Sequence, residues 1–182
     1  MKKSFILFSA VIMMVGLATQ TKAQVLLSGN TAGATLVQVL TITNATPLNF
    51  GVIGITSGTA GTVVMSTAGV RTPGAATTTI INTGTPRTVA QFNLTGTANA
   101  IYSISIPSPI VVITAGGGAN KTMNIDALKV KVDAAVEGAA LAATGTLTLS
   151  ASTFLLSGTL NIGSAQTLGV YAGTYSVTVD YQ

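Results

Sequence analysis

Apolar and polar residues alternate along most of this chain, and most strictly at its end. There Tyr175, Val177, Val179 and Tyr181 fall on one side, with Ser176, Thr178 and Asp180 on the other. A period of two belongs to a β-strand with one buried face. Comparable runs predict strands over 35–43, 48–55, 61–67, 78–82, 88–96, 100–107, 110–114, 123–133, 144–152 and 154–162. Gly, Asn and Pro punctuate them about every 8–12 residues, the spacing of a β-sandwich or barrel. Segments 71–77 and 115–121 read as loops. Residues 134–143 are Ala-rich but carry Gly138, so helix and loop both stay open there. No repeat of roughly 20–50 residues is visible, which argues against a propeller or solenoid. The expectation is an all-β domain of about ten short strands.

The first 23 residues follow another pattern. Lys2 and Lys3 precede an apolar run from Phe5 to about Ala18, and the small residues Thr21 and Ala23 stand just before Gln24. This is the layout of a secretory signal peptide. The run is shorter than the ~20 residues that span a bilayer, so no membrane span is expected in the mature chain. The chain divides into a signal over 1–23, an N-terminal extension over 24–34 and one domain over 35–182.

Composition changes the picture in three places. An apolar content of 48 % argues against a disordered chain, although only 7 % of residues are charged. Cleavage after Ala23 would remove Lys2, Lys3 and Lys22. Five cations (Arg71, Arg87, Lys121, Lys129, Lys131) then face four acids (Asp126, Asp133, Glu137, Asp180), leaving +1 from the +4 of the whole chain. So few scattered cations make no phosphate-binding stripe, and no nucleic-acid partner is expected. The absence of Cys rules out disulfides, so burial and sheet hydrogen bonds must hold the fold.

The same inventory narrows the chemistry. Without His or Cys, Ser-His and Cys-His nucleophile systems are excluded. Soft and imidazole metal ligands are missing too, and neither metal nor cofactor is expected. The "AGGGAN" stretch at 115–120 lacks the GK[ST] that completes a phosphate loop and reads as a turn. Asp126 and Asp133 lie seven apart in or beside one predicted strand, a poor basis for a carboxylate pair. A non-enzymatic protein is expected.

The tail carries a more specific signal. Counted back from Gln182, Tyr181 is penultimate, Val179 fourth, Val177 sixth, Tyr175 eighth and Gly169 fourteenth. These offsets resemble the C-terminal signature of chaperone-usher pilins. "PLNFGVI" near the start and "VYAGTYSVTVDY" at the end are similar to small exported bacterial β-domains related to them. One departure is the missing disulfide that joins early strands in many pilins. The resemblance implies an immunoglobulin-like sandwich lacking its last strand. Gly169, Tyr175, Val177, Val179 and Tyr181 would then line an open groove that a chaperone also recognises. A neighbouring subunit would fill that groove by β-strand addition, and here the donor would be 24–34, with Val25, Leu27, Gly29 and Thr31 on one face. The implied partners are further copies or other pilin subunits, a periplasmic chaperone and an outer-membrane usher. The implied location is a fimbria on the cell surface, reached through the periplasm. The alternative is a monomeric secreted or surface-associated sandwich that binds or adheres.

Overall fold

The computed structural model describes residues 29, 31–56, 58–74, 78–114, 118–139 and 143–182. The expected signal and the donor positions Val25 and Leu27 lie outside the described residues, whereas Gly29 and Thr31 are described and exposed. Leu36–Gln182 is one of the two units into which the chain divides.

The spine of this unit is β12 (Ala151–Ile162), about 40 Å long at ~3.3 Å per residue. Along one edge it pairs with β9 (Thr122–Val132). Its other edge takes β6 (Ala90–Thr95) and then β3 (Gly61–Met65). Outward from these, β1 (Thr41–Thr46) joins β6, and β4 (Arg71–Pro73) joins β3. Beyond β9 come β8 (Ile110–Thr114) and β10 (Gly138–Ala139), and β13 (Tyr171–Ala172) closes the far side on β8. The second layer is in two pieces. One is β11 (Ala143–Thr146), β7 (Ile101–Ser105) and β14 (Thr178–Tyr181), with β7 in the middle. The other is a ribbon of β2 (Val52–Ile55) and β5 (Thr78–Ile81). All these pairings are antiparallel, and the fold is an all-β sandwich.

Alternation explains the core. Phe154, Leu156, Leu160 and Ile162 of β12 are buried, as are Phe92 and Leu94 of β6 and Ile125, Leu128 and Val130 of β9. Tyr102 and Ile104 of β7 meet them from the other layer. Phe92 stacks on Phe154 with centroids 4.8 Å apart. Each such side chain contributes about 1.5–3 kcal/mol on burial. The register slips once, between Ser157 and Thr159 of β12. Ala127 and Leu128 together oppose Gly158, with Ala127 at φ +43°, the signature of a β-bulge. A Cβ on Gly158 would come to 2.9 Å from Asp126 O, so the bulge requires glycine there.

Several predicted boundaries move. Residues 35–40 are not strand, because the chain joins β6 only at Thr41. The run 48–55 narrows to β2 after an isolated bridge between Asn49 and Thr88. Part of the predicted loop 71–77 is β4, which Arg71 anchors, and 134–143 holds the short strand β10 and no helix among its described residues. The runs 144–152 and 154–162 regroup as β11 and the long β12, separated by a turn at Leu149 and Ser150, both with positive φ. Alternation reports which face is buried. It does not report where a partner strand begins, and that is what sets these limits.

Candidate functional site

The two pieces of the second layer are not hydrogen-bonded to each other. β14 pairs with β7 and β2 with β5, and each is the outer strand of its piece among the described residues. Beside β2 lies a cavity of ≈ 540 Å³, which reaches the tail at Tyr175, ahead of β14. Its walls include Val52, Ile53 and Ile55 of β2, and its floor includes Ile110, Val112, Met123, Ile125, Leu160 and Ile162 of the large sheet. Tyr175 and the segment 166–173 complete the lining.

The sequence folds this way because both flanks are tied by polar contacts. On the β2 side, Arg71 of β4 donates from Nη1 to Phe50 O (2.7 Å) and Val52 O (3.1 Å). From Nη2 it donates to Ile81 O (3.1 Å) and Asn82 Oδ1 (2.9 Å). On the other side residues 163–173 form a strap between β12 and the tail. Gln166 Nε2 donates to Asn120 O (2.9 Å), and Tyr171 Oη donates to Thr167 O (2.6 Å). Two glycines let the strap lie flat on β8. A Cβ on Gly173 would collide with Val111 O, and one on Gly169 would come to 2.6 Å from Thr114 Oγ1.

The tail residues divide accordingly. Gly169 belongs to the strap and not to the last strand, so the expected groove strand does not contain it. Tyr175 and Val177 precede β14, which is shorter than the alternation predicts, yet they keep the pattern. Tyr175, Val177, Val179 and Tyr181 are half-buried and pack against the core, while Ser176, Thr178 and Asp180 are exposed. Tyr181 Oη accepts from Thr97 N (2.7 Å) and donates to Gln38 O (2.9 Å). Gln182 N donates to Ile101 O (3.0 Å). These bonds hold the chain in place to its last residue.

Tyr175 stands apart from the other three. Its ring meets Phe92 edge-on at 6.5 Å, and its hydroxyl, shielded from solvent, has no hydrogen-bond partner among the described residues. Burial pushes its phenol up to about 12. A raised folded-state value means stability that is full below the unfolded value of about 10. That stability is lost as pH rises from there through 12. Tyr175→Phe is expected to flatten this alkaline loss, read as unfolding midpoints between pH 9 and roughly 12.

Two of the four acids, Asp133 and Glu137, are engaged in structural contacts. Asp133 accepts from Ser152 Oγ (2.7 Å) and Thr153 N (2.7 Å), and Ser152 Oγ also meets Tyr102 Oη at 2.6 Å. Glu137 accepts from Thr67 Oγ1 (2.6 Å) and N (2.9 Å) and pairs with Lys129 at 3.0 Å. Burial raises the Glu137 carboxyl, but these donors outweigh it and the net direction is down. Among the described residues no three potential metal ligands of the His, Cys, Asp and Glu types gather together. The cavity wall at β2 and the strap were not read from the sequence as site elements. The signal available for them was apolar residues in stretches without alternation, "FGVIGI" and "LGVYAG".

No match is found among curated proteins. A family model described as a domain of unknown function, DUF4402, matches residues 40–181, which include the lining of the cavity and the tail through Tyr181. By that match the chain belongs to the DUF4402 family.

Proposed function

We propose that this protein is a structural subunit of a bacterial surface fimbria, assembled by exchange of β-strands between copies. In this reading residues 1–23 direct export, a periplasmic chaperone and an outer-membrane usher handle the subunit, and the polymer contributes to adhesion. The observation that carries it is the interrupted second layer. β14 and β2 are both edge strands among the described residues, and an apolar cavity lies beside β2 and reaches the tail at Tyr175. An edge of unpaired N–H and C=O groups beside an apolar trough is what an added strand satisfies, through a backbone ladder and alternate side chains. The donor in this reading is 24–34, with Val25, Leu27, Gly29 and Thr31 facing the trough. A second reading, a monomeric surface domain that binds a small apolar ligand, draws on the cavity volume, which lies inside the roughly 300–1,000 Å³ of ligand pockets.

A synthetic peptide of residues 24–34 tests the choice. Added to the full exported chain, it is expected to bind saturably and to raise the melting temperature, since a ligand of the folded state stabilises it by mass action. Electron microscopy of the concentrated chain is expected to show filaments that excess peptide shortens. A monodisperse monomer that ignores the peptide would leave the ligand-binding domain as the better reading.

A further inference from the structure

Leu36–Gln182 has two apolar ends. At one, Leu36 is 95 % and Leu149 89 % exposed, with Val37 and Val39 exposed between them in the chain. These residues flank a single turn, because Gln38 N donates to Thr97 Oγ1 (2.8 Å) and Gly96 N to Ser150 O (3.1 Å). At the other end is the strap, where Leu168 and Val170 line the cavity yet stay exposed, Val170 at 87 %. β12 separates the two. Leu149 stands just before its first residue and the strap begins just after its last, so the ends lie about 40 Å apart. Exposed apolar patches of this kind mark contact surfaces.

Strand direction decides which end meets which. Every pairing in the sandwich is antiparallel. β14 runs toward the Leu149 end, where Tyr181 Oη reaches Gln38 O. A strand added antiparallel to the free edge of β14 therefore runs the other way and leaves the slot on the strap side. When residues 24–34 are that strand, Leu36 of the donor follows two residues later, within about 7 Å of the exit.

We propose that successive copies dock head to tail, with Leu36, Val37, Val39 and Leu149 of one copy covering Leu168 and Val170 of the next. This rests on the strand-exchange reading and adds an interface to it. The contact is heterologous, joining two different surfaces, so it propagates along a chain of copies and does not close into a dimer. The shared strand tethers the two faces at millimolar effective concentration or above, so a small apolar contact forms that free copies would not make.

The absence of native Cys makes the test direct. Val39→Cys and Val170→Cys chains are made separately, assembled alone or mixed, and oxidised. A disulfide-linked dimer is expected in the mixed filaments and in neither variant alone. A Leu149→Asp chain, changed on the docking face that lies outside the cavity, is expected to bind the 24–34 peptide as wild type does while its filament yield falls several-fold. A dimer in Val39→Cys filaments alone would mean parallel insertion with like ends meeting, and would overturn the docking. So would mixed filaments without a dimer, or Leu149→Asp filaments at wild-type yield. Failure of the wild-type chain to bind the peptide would remove strand exchange itself, and the docking with it.

Discussion

Val177→Asp is expected to destabilise the domain by about 2–4 kcal/mol and to abolish filament formation. Val177 is half-buried on the core-facing side of the tail, so the carboxylate loses much of its hydration. Its neighbour Thr178 is exposed on the opposite face, and Thr178→Asp is expected to stay within about 0.5 kcal/mol of wild type. The contrast isolates the face, because both changes put the same charge one residue apart. Acid provides an internal control. As pH falls below about 4 the introduced carboxyl protonates, and the deficit of Val177→Asp should shrink while Thr178→Asp stays flat. Urea unfolding at several pH values, with microscopy of filaments, measures both. Equal effects of the two substitutions would mean that the tail is not anchored by its Tyr175–Tyr181 face.

That contrast was legible in the sequence, because a strict period of two names the inward residues without any knowledge of what lies inside. The same rule placed strands over most of the stretches that carry the core, including those of Phe92, Leu94, Phe154 and Leu160. It failed where backbone pairing and not side-chain burial sets the structure. Gly169 shows the difference. Its offset from the last residue suggested a place in the groove strand, yet the chain turns away at the strap, where Gln166 and Tyr171 bond to Asn120 O and Thr167 O. Those partners lie as much as 46 residues away, and no local pattern encodes them. The cavity was hidden for a related reason. It is bounded by β2, the strap and the large sheet, and an unpaired edge such as that of β2 leaves no mark on alternation, which records faces only.

Arg71 is the second position where a large effect is expected. Arg71→Ala should cost about 2–4 kcal/mol. A single guanidinium grips both strands of the ribbon, taking Phe50 O and Val52 O at the start of β2 and Ile81 O and Asn82 Oδ1 at the end of β5. Charge-assisted bonds of this kind contribute roughly 1.5–3 kcal/mol each when well placed. Partial exposure and repacking keep the sum below a simple addition. The surrounding chain is shaped for the contact, since Gly51 sits at φ +71° and a Cβ there would stand 3.0 Å from Nη1. Lysine cannot replace the fork, because its ammonium is a point donor and cannot bridge four acceptors spread over two strands. Arg71→Lys is therefore expected to recover less than half of the lost stability. The functional consequence follows from position. The ribbon carries one wall of the cavity through Val52, Ile53 and Ile55, so loosening it should raise the dissociation constant of the 24–34 peptide about tenfold or more. Calorimetry on Arg71→Ala at a temperature where the domain stays folded measures that shift. An unchanged affinity would show that an incoming strand uses the β14 edge alone and makes no demand on β2.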